Sequence, residues 1–249
     1  MNDEIKANVY DDFEKNYWWF LGRRKIIYDY MLKYIDLGIK INCLDIGCGT
    51  GAILLKLKNI ATQRVGLDIS QNRLLKCGEK GVTQLIRADA ALLPIKKISF
   101  NLVTALDVIE HIENDVEILK EFKNIIKSGG ILILTVPAYQ FLFSPYADAQ
   151  HKRRYTKTTL LKCVEEAGFK IETIHYFNSL LFPLMLIERL HERFFVKKRE
   201  SFEIVFNKLP QTINTLFSII FNIERLIIKL GLKFPFGGSI ICICKKCVD

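Results

Sequence analysis

The sequence predicts an α/β fold, a doubly wound and mostly parallel sheet with helices on both faces. Three observations predict it. Seven short apolar runs suit buried strands (41–46, 64–69, 83–88, 100–106, 131–136, 171–177 and 239–244). Longer stretches of helical character separate most of them, and a glycine-rich turn joins the first run to a helical one.

Taken in order, residues 1–40 precede the first strand and read as a helical segment. Strand 41–46 runs into GCGTGA and then into the helical stretch ILLKLK. The strands at 64–69, 83–88 and 100–106 follow, and a helix is expected over 114–127. Gly129 and Gly130 are expected to cap that helix at its C-terminus before the run ILILTV. About 60 residues separate the last two strands where a hairpin needs only a loop, so an apolar helical insertion is expected over 178–238. It reads as helical pieces at 178–196 and 212–231, joined by the charged stretch VKKRESFE and by Pro210. In the second piece Asn214, Ser218, Asn222, Arg225 and Lys229 draw one narrow polar stripe, so that helix is expected to bury most of its circumference.

Composition fits a single domain over 1–249: half of the residues are apolar, which excludes global disorder, and no repeat suggests a solenoid. The charge of +9, from 36 Lys and Arg against 27 Asp and Glu, is spread along the chain and selects no acidic partner by itself. The start, MNDEIKANVYDDFEK, has acids where a signal peptide has a basic start and an apolar run, so a cytoplasmic protein with free thiols is expected. The apolar stretches 173–187 and 209–223 fall short of the roughly 20 residues that span a bilayer, so no transmembrane helix is expected.

The chemistry concentrates in LDIGCGTGA at 44–52. Gly47, Gly49 and Gly51 allow a sharp turn and close approach of the backbone to a ligand, and the following helix offers unpaired N–H groups. Gly47, Gly49 and Ala52 equally satisfy the fingerprint of nicotinamide-binding folds. Asp68, closing the next strand, suits a ribose in either cofactor class. Asp45 discriminates, since two residues before the first glycine it favours an ammonium group and repels a pyrophosphate; Asp89, after the third strand, suits an exocyclic amine.

These residues, with FNLVTALDVIEHIEND at the fourth strand, resemble the class I S-adenosylmethionine-dependent methyltransferases over most of the chain. The resemblance implies a Rossmann-like seven-stranded sheet whose last two strands are antiparallel. It implies that Gly47, Gly49 and Gly51 wrap the methionine part of S-adenosylmethionine, that Asp68 binds its ribose, that Asp89 and Ala90 meet its adenine, and that Leu106 lines the site. NYWWFLGRRKII, HKRRYT and PFGGSIICICKK look like a subgroup of these enzymes of mostly unassigned substrate. By that likeness residues 1–40 form a lid, with Trp18 and Trp19 packing it and Arg23 or Arg24 pairing with the cofactor's carboxylate.

Past the fifth strand, His151 is the candidate base, with Tyr155 beside it as a second catalytic candidate; Arg153 and Arg154 are expected to bind an anionic group of the substrate. Gln150 stands where the subgroup usually has glycine. Glu110 and His111 are expected to cap or support, and His175 and His191 to be structural. Cys242, Cys244 and Cys247 imitate a metal motif without a fourth ligand, and no metal is expected.

The predicted activity is methyl transfer to an oxygen or nitrogen of a small-molecule or lipid-linked acceptor. The insertion, with nine basic and five acidic residues, suggests peripheral contact with the inner membrane face or a homodimer interface. An NAD(P)-dependent oxidoreductase is the alternative, though no Tyr-x-x-x-Lys pair is evident, and RNA-directed methylation is another; nucleic acid is not an expected partner.

Overall fold

The computed structural model describes residues 3–36, 38–95, 98–144, 148, 150–195 and 209–247. The chain runs α1 (Asp3–Asn16), α2 (Trp18–Tyr34), β1 (Ile41–Ile46), α3 (Ala52–Lys56), β2 (Ala61–Asp68), α4 (Gln71–Glu79), β3 (Gln84–Arg87) and β4 (Phe100–Leu106). A 3-10 turn (Ile109–His111) leads to α5 (Asp115–Ile125), β5 (Ile126–Pro137), α6 (Lys157–Glu166), β6 (Lys170–Phe177), α7 (Phe182–Phe195), α8 (Gln211–Lys229) and β7 (Ser239–Lys245). The strands form one seven-stranded sheet in the order β3-β2-β1-β4-β5-β7-β6. Pairings from β3 through β5 are parallel, and β7 lies antiparallel between β5 and β6. The seven expected strands and the antiparallel closing pair are therefore present.

Alternation along the strands builds two cores. Leu44 and Ile46 of β1, Leu132 and Leu134 of β5, and Cys242 and Cys244 of β7 face α5 and α6. Ile41 and Cys43, Ile131 and Ile133, and Ile241 and Ile243 face α2, α3, α4 and α8. Cys242 and Cys244 are fully buried with their sulfurs 3.4 Å apart, behaving as small apolar side chains. Two caps fix helix starts near the sheet's functional edge: Ser70 accepts from Arg73 N, and Thr156 forms a reciprocal box with Thr159.

Two sequence expectations change. Gly129 and Gly130 do not cap the preceding helix, because α5 ends at Ile125 and β5 already begins at Ile126. They lie inside β5, where its register against β4 jumps from Phe100 opposite Ile126 to Leu102 opposite Ile131. A side chain at Gly130 would meet Ile126 and the Lys127 carbonyl, so the pair permits a bulge. The second change concerns α8. Its Phe221, Glu224 and Ile228 are buried, but Leu216, Ile219, Ile223 and Leu226 are exposed. Packing occupies one side only, against α2, where Phe221 comes so close to Gly22 that a β-carbon there would collide. On the polar stripe, Asn214 accepts from Trp18 N at 2.9 Å and Arg225 grips Asp29 through two bonds of 2.6 and 2.9 Å. The stripe thus anchors the helix to α2 and leaves an apolar face outward. VKKRESFE (196–203) and the remaining residues up to 208 lie outside the described residues. No helix among the described residues is long and apolar enough to cross a membrane.

Candidate functional site

At the C-terminal edge of β1 the chain reverses over Gly47–Gly51, all three glycines having positive φ. Gly47 N and Cys48 N both donate to the Leu67 carbonyl, at 2.7 and 3.0 Å, pinning the turn to the end of β2. The Asp68 carboxylate completes the pin, accepting from Gly49 N at 2.9 Å and Ser70 N at 2.8 Å. A carboxylate offers about four acceptor positions, so two remain for a ligand. Gly49 is required for space as well as conformation: a β-carbon there would lie 2.9 Å from Tyr10 Cε1 and 3.1 Å from Glu14 Oε1. One at Gly47 would lie 2.7 Å from Val108 Cγ2. The turn is therefore approached by α1 on one side and by the β4 exit on the other.

The lining is acidic and buried. Asp45 is 3% exposed and accepts one hydrogen bond, 2.6 Å from the Thr104 hydroxyl. Burial pushes its carboxyl up to about 7, and nearby Glu14 and Asp68 add to the rise against the pull of Arg23. Glu14, on α1, is raised chiefly by burial as well and accepts from the Thr50 hydroxyl. Lys80 donates to the Thr50 carbonyl at 2.9 Å and pairs with Asp11, tying α1 to α4 across the turn. Arg73 lies 4.4 Å from the Tyr10 ring centroid.

Arg23 comes from α2 into this region, its guanidinium over the rings of Trp19 and Phe20 and paired with Asp107 just beyond β4. Asp107 takes a second bond, 2.9 Å from the Thr135 hydroxyl. Arg24 instead donates to the Glu14 carbonyl at 3.0 Å. Trp18 is packed against Phe217 and Phe221 of α8, and Trp19 stacks on Phe177 at 5.7 Å. Leu106 is half-buried at the end of β4. Asp89 is exposed in the turn after β3, accepting from Ala91 N at 2.9 Å, and half-buried Ala90 packs on the core; Ala88 N bonds the Asp68 carbonyl and keeps this turn beside β2. Thus Arg23, Asp45, the three glycines, Asp68, Asp89, Ala90 and Leu106 all sit at the carboxyl edge of the sheet or on the helix facing it, where open α/β sheets bind ligands.

The expected substrate residues past β5 fall differently. Arg154 is 6% exposed at its side chain and fully engaged: it bonds Asp148 twice, at 3.0 and 2.9 Å, and the Ala138 carbonyl at 3.0 Å. Arg153 pairs with Asp115 at 2.9 Å and donates to the Glu113 carbonyl at 2.6 Å. Tyr155 is buried, its hydroxyl donated to Asp115 at 2.8 Å, and burial followed by that carboxylate raises its pKa strongly. Arg153 and Tyr155 thus tie the loop to the start of α5, and Arg154 ties it to Asp148 and to the end of β5. His151 is placed otherwise. Its Nδ1 lies 2.9 Å from Asp148, and its ring is edge-on to that of His111 with centroids 4.6 Å apart. Glu110 lies beside both, fully buried.

Sequence reasoning did not find Tyr10, Glu14 or Asp107. Nothing marks α1 as a partner of the turn, whereas Asp107 stood in the DVIEH segment directly after a strand end. The open cleft of about 370 Å³ between α2 and α8, lined by Ile26, Tyr30, Arg225 and Ile228 among others, is a separate feature.

Comparison with known proteins fits this layout. A family described as methyltransferase domain matches residues 44–134, which is β1 through the core of β5. An uncharacterized protein of Methanocaldococcus jannaschii is 30% identical over 172 residues, covering 66% of this chain and 82% of that one. A sterol 4-C-methyltransferase of Caenorhabditis elegans is 25% identical over 138 residues; the match covers 53% of this chain but only 40% of that protein's length. In fold, the chain is similar to a crystal structure of an S-adenosylmethionine-dependent methyltransferase from Archaeoglobus fulgidus, with a TM-score of 0.58 at 22% identity over 95% of this chain and 99% of the other. Sheet order and the pinned glycine turn agree with these similarities: residues 44–134 carry a methyltransferase domain, on the seven-stranded Rossmann-like fold of the solved methyltransferases.

Proposed function

We propose that the protein transfers the methyl group of S-adenosylmethionine to an oxygen or nitrogen of a small-molecule or lipid-linked acceptor. The observation that carries this reading is the buried acidic lining of the glycine turn. Asp45 has a single hydrogen-bond donor and Asp68 keeps acceptor positions free, so both suit a ligand carrying positive charge and ribose hydroxyls. When bound, the sulfonium cofactor supplies an intrinsically reactive methyl group. The protein's own share is positioning and exclusion of water: Gly47 and Gly49 allow backbone contact, Asp68 fixes the turn, and α1 covers it with Tyr10 and Glu14. Arg23, now on Asp107, stands where a cofactor carboxylate would compete for it. His151, its ring 2.9 Å from the Asp148 carboxylate, can accept a proton from an acceptor hydroxyl.

The class of acceptor is argued from the outer surface. Leu216, Ile219, Ile223 and Leu226 recur at steps of three and four and are exposed on α8, and α7 exposes Leu184, Ile187 and Leu190. Such a face suits an acceptor with an apolar body, or the inner membrane surface that carries one. The similar protein of Caenorhabditis elegans is, by its name, a methyltransferase of a sterol, an acceptor with an apolar body.

Calorimetric titration with S-adenosylmethionine, S-adenosylhomocysteine and NADH tests the cofactor. Micromolar binding of the first two, weakened at least ten-fold in Asp68→Ala and less in Asp68→Asn, is expected; binding of NADH alone overturns the reading. Flotation with anionic vesicles tests the surface. Wild type should float and a Leu216→Glu, Ile219→Glu, Ile223→Glu variant should not, whereas equal recovery of both in the soluble fraction removes membrane contact. Dimers dissociated by the same triple variant would assign the face to a second copy.

A further inference from the structure

Glu110 belongs to the 3-10 turn after β4 and His151 to the loop after β5, yet each of Glu110, His111 and His151 presents one ligand atom within 4.8 Å of the other two. Their backbones are tied together, Lys152 N donating to the Glu110 carbonyl at 2.7 Å. Glu110 is 0% exposed, and neither of its carboxylate oxygens has a hydrogen-bond partner. A buried carboxyl group without donors is costly, and such groups are almost always satisfied by protein, water or a cation.

His111 Nδ1 donates to the Gln150 carbonyl at 3.1 Å, the kind of contact that orients a metal-binding histidine. His151 Nδ1 lies 2.9 Å from Asp148. Exposure is graded from buried Glu110 through half-buried His151 to exposed His111, so the cluster has a solvent side for entry.

We propose that Glu110, His111 and His151 form a binding site for one first-row divalent metal ion. Two imidazole nitrogens and one carboxylate oxygen favour zinc, iron, cobalt or nickel over magnesium or calcium, and three protein ligands leave positions open for an exchangeable one. The site adjoins the glycine turn, because Val108, two residues before Glu110, packs against Gly47. Its role rests on the methyl-transfer reading: the ion would bind an oxygen of the acceptor and lower the pKa of that hydroxyl, whose proton leaves to water. In that arrangement His151 is a ligand and not the base.

The experiment titrates Co²⁺ into chelator-treated full-length protein and reads its visible d–d bands, with S-adenosylhomocysteine binding measured on the same preparations. Bands saturating at one ion per chain are expected. His111→Ala and His151→Ala should abolish them, and Glu110→Gln, which keeps the side chain's shape, should weaken Co²⁺ binding by roughly ten-fold or more. His191→Ala, on α7, should leave them unchanged. Retained S-adenosylhomocysteine binding and thermal melting show that the variants are folded. Absence of bands in wild type, or bands indifferent to Glu110→Gln and His151→Ala, would overturn the site. Bands present without S-adenosylhomocysteine binding would support the cation site and remove the methyl-transfer reading instead.

Discussion

Replacing Asp45 by asparagine should stabilise the protein above neutrality, by an amount that follows from its burial. An aspartate ordinarily titrates at 3.8, and in the fold this one is held near 7. Between those values the unfolded chain is ionised at this residue while the folded chain keeps its proton. Wild-type stability therefore declines as pH rises from about 4 to about 7 and is flat above. Each pH unit of difference is about 1.36 kcal/mol, so the full decline is about 4 kcal/mol. Asparagine does not titrate and can still accept from Thr104. Glu14, Glu110 and Glu224 are raised in the same direction and steepen the wild-type profile, but they are common to both proteins and leave the difference to Asp45. Urea denaturation of both proteins at pH 5, 6, 7 and 8 measures it; the gap should widen by several kcal/mol toward pH 8. The ligand side has the opposite sign. If ionised Asp45 faces an ammonium group, wild-type affinity for S-adenosylhomocysteine should fall roughly ten-fold per unit below pH 7, and the asparagine variant should lack that dependence. Parallel stability profiles would refute the burial argument, and parallel affinity profiles the ligand contact.

Gly49→Ala should add about 1–2 kcal/mol of backbone strain at φ +56 and press on Tyr10, weakening S-adenosylhomocysteine binding about ten-fold by calorimetry. Unchanged affinity would take the turn out of the binding surface. Arg154→Ala should strip the buried Asp148 carboxylate of its guanidinium partner, at about 3–5 kcal/mol, and appear as a large fall in melting temperature; a change in KM alone would return Arg154 to the substrate. Tyr155→Phe should cost about 1 kcal/mol of stability, for its bond to Asp115, and change turnover by only a few-fold, whereas a thousand-fold loss of turnover would make the hydroxyl a reacting group.

What the sequence revealed and what it concealed divides along physical lines. Strands β1 and β4 coincide with the apolar runs that announced them, since a strand buried on both faces needs nothing beyond its own residues to be recognised. Gly129 and Gly130 were ambiguous because the same conformational freedom ends a helix or admits a bulge, and only the register against β4 decides. The apolar residues of α8 show a face that avoids water without showing what covers it. The partners of Arg154 and Tyr155 are acids on a loop six residues away and on α5, so both side chains look free in sequence. The grouping of Glu110, His111 and His151 depends on two strand exits lying side by side, which the order β1-β4-β5 dictates and no local pattern displays.

The three-glycine turn is conformationally neutral between a dinucleotide and a sulfonium ligand, so its surroundings have to decide. Three acids reach it from three elements: Glu14 from α1, Asp45 from β1 and Asp68 from β2. All three are buried, and the cations nearest them are largely spoken for, Arg23 by Asp107 and Lys80 by Asp11 and Thr50. The raised pKa of Asp45, caused by burial and then by Glu14, records a shortage of positive charge at this point. A pyrophosphate placed there would deepen the repulsion, and an ammonium or sulfonium group would relieve it. Helix α1 adds to the effect, because by lying over the turn it excludes the water that would otherwise screen these carboxylates. On the proposed reading, a preference for a cationic cofactor is set by which acids the fold buries together, and Asp45 is the residue through which that preference can be measured.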